Sequence, residues 1–267
     1  MPELPEVETI VTDLKKVVPG LKITDVWNDI PAFQKIKKGV IGRKILGIER
    51  RGKNILIELS QNTTFLIHLK LTGRLLYGNP KNRFIHLILF LSNGKQLVLS
   101  DLRKFAKALV WPTNKLRELK DINNLGPEPL SPMFTFKKFK EILKNKRGKI
   151  KTVLMNQEVI SGIGNIYSDE ILWEAGIHPL KKTEKLNKEK LKKIFRAIKK
   201  ILKRAIKAKG DSFSDYRRPS GEKGSYQEIQ NAYGQEGIKC KKRDGGIIKR
   251  IKIGGRSAHF CPLHQKL

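Results

Sequence analysis

Val7, Ile10, Val11, Leu14, Val17 and Val18 recur at helical spacing. They predict an amphipathic helix over about 5–18, stopped by Pro19-Gly20. The period then changes. Strand-like apolar runs follow at 45–48, 55–59, 65–71, 85–91, 96–99 and 106–111, with Ser92-Asn93-Gly94 as a hairpin signal between two of them. Several short strands with turn residues at close spacing predict a β-sandwich or barrel. No repeat with a period of roughly 20–50 residues is present.

The character changes near Pro112. Residues 123–130 are rich in Pro and Gly and read as a linker. Helical patterns follow at 136–143, 165–175 and 187–208. In the last, Leu191, Ile194, Phe195, Ile198, Ile201 and Leu202 form one stripe, with lysines around the other faces. A loop at 211–224 contains Pro219, Gly221 and Gly224, and two short β runs, 247–253 and 257–260, flank Gly254-Gly255. The expected fold class is α+β. A helix and β-sandwich occupy 1–122, a linker 123–132, a helical domain 133–230 and a hairpin module 231–267.

Charge narrows the partner. Among 267 residues, 56 Lys and Arg against 25 Asp and Glu leave a formal net charge of +31. That excess points to a polyanion, although a lysine-rich proteome would contribute to it. Only two cysteines are present, Cys240 and Cys261, which excludes a disulfide framework. No run is long and apolar enough to span a membrane, and no signal peptide precedes the first helix. The expectation is a soluble, monomeric protein of the cytoplasm, associated with the nucleoid.

The chain opens Met1-Pro2-Glu3-Leu4-Pro5-Glu6-Val7-Glu8. Removal of Met1 would leave Pro2 with a secondary α-amine. Such an amine titrates at about 7.7–8.0, against about 10.4 for lysine, so much more of it is neutral and nucleophilic. Attack on a sugar C1′ would displace a base and give an iminium intermediate, with Glu3 and Glu6 nearby to move protons. The same residues also suit a helix start, with Pro5 in the first turn and Glu6 and Glu8 favoured by the dipole. Both readings hold together.

This N-terminus resembles that of the formamidopyrimidine-DNA glycosylase / endonuclease VIII family, whose chains begin Pro-Glu-Leu-Pro-Glu-Val-Glu. The resemblance extends from Pro2 to Gln265. It implies an active-site role for Lys53, in Arg51-Gly52-Lys53-Asn54, as a general acid or base and phosphate contact. The segment from Phe65 through His68 and Leu71 to Gly73 is similar to the family's His-Leu-Gly-Met-Ser-Gly. Leu71 stands where a methionine wedges into the DNA stack. Asp101-Leu102-Arg103-Lys104-Phe105 resembles Asp-Pro-Arg-Arg-Phe. Arg103 would bond the orphaned base and Phe105 would stack in the gap. His86 matches a DNA-contacting histidine, although a histidine in an apolar run is more often a core residue. Lys146 and Lys151 lie in a basic stripe at 144–151.

Lys151 through Gly162-Ile163-Gly164-Asn165 to Glu170, continuing into Gly176-Ile177-His178-Pro179, is similar to the family's helix–two-turn–helix. Asn165 would stand at a helix N-terminus, where backbone N–H groups favour a phosphate. Gly221-Glu222-Lys223-Gly224-Ser225-Tyr226 resembles the loop that closes over an oxidised purine, which sets the lesion loop at 211–227. A plain flexible linker is the competing reading. Arg256, after Gly254-Gly255, would reach phosphates flanking the lesion.

The last module departs from the family. Two Cys-x-x-Cys pairs are expected at a finger-like zinc site. Here they read Cys240-Lys241-Lys242-Arg243 and Cys261-Pro262-Leu263-His264. Cys240, Cys261 and His264 are good ligands. Arg243 is not, since guanidinium stays protonated. Structural zinc takes four ligands. Asp244 or His259 is available as a replacement, or the hairpin folds without metal. Ligand count favours weak or absent zinc. No organic cofactor is implied.

The resemblance therefore implies a bifunctional glycosylase and AP lyase that removes 8-oxoguanine and formamidopyrimidines from duplex DNA. Two alternatives stay open: the endonuclease VIII branch, acting on oxidised pyrimidines, and a non-catalytic relative that binds damaged DNA. Loss of a zinc ligand suits the last, while retention of Pro2, Glu3, Glu6, Lys53 and Arg256 together argues against it.

Overall fold

The computed structural model describes all 267 residues. They form two compact units, neither continuous in sequence. One comprises Met1–Asn123 and Ala208–Gln227, the other Asn124–Lys207 and Glu228–Leu267.

The first unit begins with helix α1 (Leu4–Leu14), whose Leu4, Val7, Ile10, Val11 and Leu14 are buried. A capping box starts it: Glu3 N–H donates to Glu6 Oε2 at 2.8 Å, and Glu6 N–H donates to the Glu3 carboxylate. The helix stops at Leu14, short of the expected 18. Lys16 N–H and Val17 N–H bond the carbonyls three residues back, tightening the chain toward Gly20 at φ +89.

Strand β1 (Ile23–Asn28) and helix α2 (Gln34–Val40) precede a run of seven strands. These are β2 (Ile45–Arg51), β3 (Asn54–Leu59), β4 (Thr63–His68), β5 (Gly73–Gly78), β6 (Ile85–Leu91), β7 (Gln96–Asp101) and β8 (Lys107–Pro112). A short α3 (Lys120–Asn123) follows. The strands make two antiparallel four-stranded sheets, ordered β1-β6-β7-β5 and β2-β3-β4-β8. Alternate residues of both, such as Ile55, Ile57 and Leu59 on β3 and Leu87, Leu89 and Leu91 on β6, join α1 in one apolar cluster. That is the expected β-sandwich. The sequence pattern missed β1 and β5. In β1, Asp25 and Asn28 interrupt the alternation, and β5 begins and ends on glycine.

Residues 208–227 belong to this unit, not to the helical domain as expected. Arg218 Nε donates to Asp13 Oδ2 at 2.8 Å, and Tyr77 N–H donates to the Pro219 carbonyl at 2.8 Å. Tyr216 enters the sandwich core. A Cβ on Gly224 would lie 2.3 Å from the carbonyl oxygens of Lys209 and Gly210, so this close crossing requires glycine.

The second unit holds α4 (Phe136–Lys144), α5 (Ile150–Met155), α6 (Asn165–Ala175) and α7 (Lys188–Lys207). Thr135 caps α4 by accepting from Lys138 N–H. On α7 the buried stripe includes Leu191, Ile194, Ile198, Ile201 and Leu202. The chain ends in an antiparallel hairpin, β9 (Lys249–Ile253) and β10 (Arg256–Phe260). Residues 231–267 are not a separate module, as the sequence had suggested. The buried Glu170 carboxylate of α6 accepts the N–H groups of Asn231, Ala232 and Tyr233 at 2.8–3.1 Å. Cys240, Ile248 and Cys261 share an apolar cluster with Trp173. Burial pushes the Glu170 carboxyl above its ordinary range, opposed by these donors.

Candidate active site

Pro2, Glu3 and Glu6 are all buried at the start of α1. Glu6 is saturated on both oxygens. Oε2 accepts the Glu3 N–H, and Oε1 accepts the Asp211 N–H at 2.8 Å. Both Glu6 oxygens thus hold backbone in this structure and fix the opening residues and the start of 208–227. Gly210 packs so closely here that a Cβ would meet Glu6 Oε1 at 2.9 Å.

Lys53 lies in the two-residue turn Gly52-Lys53 between β2 and β3, with Arg51 paired to Asn54 and Gly52 at φ +58. It is only 6 % exposed. Helix α1 reaches this end of the sheet through Glu8, whose Oε2 accepts from Arg50 Nε at 2.7 Å. His68, at the end of β4, faces the same charges. Burial, then Lys70 and Lys53, push its imidazole down to about 4. Its Nδ1 accepts the Lys70 N–H at 3.0 Å, so the neutral ring carries its proton on Nε2.

Leu71 is half-buried in the turn joining β4 and β5 and lies outside the core. Lys70 at φ +53 and the Gly73 N–H to Leu69 carbonyl bond shape that turn. Arg103 and Phe105 occupy the loop after β7. Phe105 is 52 % exposed, with the Arg103 guanidinium 4.9 Å from its ring centroid. One buried carboxylate organises both segments. Asp101 Oδ1 accepts the Thr72 hydroxyl and, at 3.2 Å, the Arg103 N–H; Oδ2 accepts the Ala106 N–H at 2.7 Å.

His86 does not face solvent. It is 5 % exposed, with Nδ1 2.9 Å from Asp29 and Nε2 3.0 Å from the Asp101 carbonyl. Both partners can only accept, Asp29 through its carboxylate and Asp101 through its carbonyl. In this structure the ring supports the Asp101 segment.

In the second unit, Asn165 is the first residue of α6, after Gly164 as N-cap. Lys146 is half-buried in the turn after α4. Lys151 is 1 % exposed, and its Nζ lies 2.5 Å from Asp169 Oδ1. Its place in an exposed basic stripe is therefore corrected: helical phase turns it inward to a buried carboxylate. Arg256 is exposed beside the hairpin tip, where Gly254 at φ +55 and Gly255 at φ +76 form the two-residue loop.

Cys240, Asp244, Cys261 and His264 form the candidate metal centre, with one ligand atom from each within 4.8 Å of the others. Asp244, one of the two replacements the sequence offered, stands with Cys240, Cys261 and His264 where Arg243 cannot serve. Arg243 takes φ +56, and the next residue turns its carboxylate inward. His259 is no ligand; its Nδ1 bonds Asp169 at 2.9 Å. The donor types suit zinc, although His264 Nδ1 and Asp244 Oδ2, 2.7 Å apart, are in hydrogen-bond contact and would have to separate around an ion. Ligands 2.0–2.3 Å from a tetrahedral ion stand roughly 3.3–3.8 Å apart. Cys240 Sγ is 3.6 Å from His264 Nδ1, and Cys261 Sγ is 3.3 Å from Asp244 Oδ2. The His264 ring lies between two acceptors, with Nε2 3.2 Å from the Trp173 carbonyl and Nδ1 2.7 Å from Asp244 Oδ2. The Gly246 N–H, with His264 and Cys261, holds the Asp244 carboxyl down to about 2. A Cβ on Gly246 would sit 2.3 Å from Cys261 Sγ.

Two family descriptions match this chain: the formamidopyrimidine-DNA glycosylase N-terminal domain over residues 1–108, and the H2TH domain of the same glycosylase over 125–217. The formamidopyrimidine-DNA glycosylase of Pelotomaculum thermopropionicum is 40% identical over the full length of both chains. The chain belongs to the formamidopyrimidine-DNA glycosylase family. Its fold is similar to that of a Lactococcus lactis Fpg mutant in complex with DNA containing Fapy-dG, at TM-score 0.93 and 35% identity over all of both chains. Lactococcus lactis Fpg in complex with DNA containing an abasic site gives TM-score 0.92 and 35% identity, over 99% of this chain and 100% of that one.

As a formamidopyrimidine-DNA glycosylase family member the protein is a DNA-binding enzyme of base-excision repair that acts on oxidised bases. No helix is long and apolar enough to cross a membrane. Several residues that arrange this glycosylase's site escaped sequence reasoning: Thr72, Asp101, Asp169 and Glu170. All four lay inside quoted motifs, but each bonds a segment distant in sequence, Thr72 with Asp101, Asp169 with His259 and Glu170 with 231–233, and no local pattern signals that.

Proposed function

We propose that this protein excises oxidised purines, 8-oxoguanine and formamidopyrimidines, from duplex DNA and then cleaves the strand. After removal of Met1, the Pro2 nitrogen bonds C1′, and the base leaves with the electron pair of the broken C1′–N bond and a proton. Glu3 moves the protons, and opening of the C1′–O4′ bond leaves an iminium ion. Loss of a C2′ proton then expels the 3′ phosphate, and δ-elimination expels the 5′ phosphate. Lys53 assists as acid or base and phosphate contact.

The observation that carries this reading is the N-terminus: Pro2 and Glu3 are buried and fixed by the Glu6 carboxylate. The similar Lactococcus lactis structures, in complex with DNA containing Fapy-dG or an abasic site, support the substrate class. Leu71 fills the gap left by the everted nucleotide, Arg103 bonds the orphaned base and Phe105 stacks beside it. Asn165, Lys146 and Arg256 contact phosphates, and the +31 net charge supports a phosphate-dominated affinity. Zinc, held by Cys240, Asp244, Cys261 and His264, supplies no chemistry to the reaction and ties the end of the chain together. Every role falls on one chain, so the acting unit is a monomer, at work on nucleoid DNA in the cytoplasm.

The test is borohydride trapping on duplexes carrying 8-oxoguanine or thymine glycol. We expect a covalent adduct at Pro2, preference for 8-oxoguanine, and loss of trapping in Pro2→Gly. Undiminished trapping in that variant, or Met1 retained in active enzyme, would sink the nucleophile. Preference for thymine glycol would favour the pyrimidine branch, and binding without any adduct a non-catalytic relative.

A further inference from the structure

The second unit contains a buried charged chain that neither the chemistry nor the metal centre uses. Lys151 Nζ donates to Asp169 Oδ1 at 2.5 Å, to Ser168 Oγ at 3.1 Å and to the Asn165 carbonyl at 3.3 Å. Asp169 Oδ2 accepts both the backbone N–H and Nδ1 of His259, each at 2.9 Å. The Lys151 and Asp169 side chains are 1 % and 0 % exposed, and that of His259 is 8 % exposed. Tyr233 packs edge-on against the His259 ring, 5.2 Å between centroids.

Taking such a pair out of water is costly, and replacing it by apolar side chains is often neutral or stabilising. Its retention therefore calls for a geometric role. The chain joins three elements: α5 through Lys151, the first turns of α6 through Asn165 and Asp169, and β10 through His259. It spans the two residues proposed to grip phosphate. One end bonds the Asn165 carbonyl. The other holds His259, three residues from Arg256 on the same strand, or about 10 Å at strand rise. No metal ligand takes part. The metal centre anchors the hairpin separately, through Cys261 and His264 beyond the end of β10.

We propose that Lys151, Asp169 and His259 form a metal-independent clamp that fixes the Arg256 hairpin in register with the α6 N-terminus, making Asp169 a positioning residue for phosphate recognition. The proposal rests on Asn165 and Arg256 being phosphate contacts. A hairpin held at one point pivots about it; two points on α6 set both its height and its direction. Asp169 accepts a backbone N–H as well as a side chain, so it fixes the strand and not only the ring.

The experiment uses the full chain, as purified and after chelation, with amide exchange over residues 256–260 and binding and turnover on a duplex containing an abasic site. His259→Phe keeps the Lys151–Asp169 pair and the backbone bond, so it folds more readily than Asp169→Asn; circular dichroism checks both. A hydrogen bond to a charged group has an effect large enough that we expect roughly tenfold faster hairpin exchange with metal still bound. KM should rise by about the same factor, with kcat changed less than about twofold. Wild-type protein stripped of metal should keep the His259 N–H protected, and stripping His259→Phe should release the hairpin. Unchanged exchange in both variants, or full release of the wild-type hairpin on chelation alone, would overturn the clamp. Faster exchange with unaltered KM would overturn the positioning role and place the failure in the phosphate reading.

Discussion

Asp211 lies 205 residues beyond Glu6 in sequence, and its backbone N–H reaches Glu6 Oε1 at 2.8 Å. The opposite oxygen holds the Glu3 N–H at the same distance. A single carboxylate thus sets the direction of the N-terminal segment and the point where residues 208–227 leave the end of α7.

Glu6→Gln would place an amide where one of those N–H groups needs an acceptor. A bond to a charged group is worth about 1.5–3 kcal/mol, so single-turnover excision of 8-oxoguanine should fall by roughly tenfold to a hundredfold. Cleavage of a ready-made abasic site needs no base in place and should fall less. Equal losses on both substrates would show that Glu6 serves the chemistry itself.

Asp101 binds the Leu71 turn through Thr72 and the Arg103 loop through two backbone N–H groups. Asp101→Asn should loosen both segments together and cost about 1–3 kcal/mol, the penalty for unpaired buried donors. Discrimination between lesion-containing and undamaged duplex should drop with it. A variant that loses stability yet keeps its full specificity ratio would separate Asp101 from recognition.

His68 gives a pH signature. Its folded value is pushed from 6.5 to about 4, so between those limits the unfolded chain binds a proton that the folded chain refuses. Stability therefore falls as pH drops from about 6.5 to about 4, and above 6.5 the group contributes no slope. The gap amounts to about 3 kcal/mol. Urea unfolding across this range should show wild type losing up to about 3 kcal/mol more stability than His68→Asn as pH falls from 6.5 to about 4. Parallel curves would mean that the imidazole is not held neutral.

Asp244 makes metal binding testable. Protein purified without chelator should carry about one zinc per chain. Asp244→Ala should lose most of it, and Asp244→Cys should retain it, because a thiolate at that place restores three sulfur donors. Metal analysis with competition by a chromogenic chelator reads this directly. Full zinc content in Asp244→Ala would show that water completes the site.

The alternation of apolar residues located β3, β6 and β7 closely, and the stripe on α7 located that helix, because periodicity records which face of an element meets the core. The opening residues and the Gly162–Asn165 string carried the family resemblance, since a capped helix start and a tight turn into a helix are local requirements. Burial of particular polar residues is not local. His86 and Lys151 looked like DNA contacts, and each proved to be matched with a carboxylate from another element, Asp29 and Asp169. The fourth metal donor was decided by the φ +56 backbone of Arg243, which swings Asp244 inward. Residues 208–227 joined the sandwich because Glu6, Asp13 and Tyr77 accept or donate there. The chain's own pattern determined which faces are apolar and which residues open the first helix. Which polar groups are buried, and against which partners, was decided only by tertiary structure, because an unpaired buried charge is prohibitively costly and its partner comes from wherever the fold brings one.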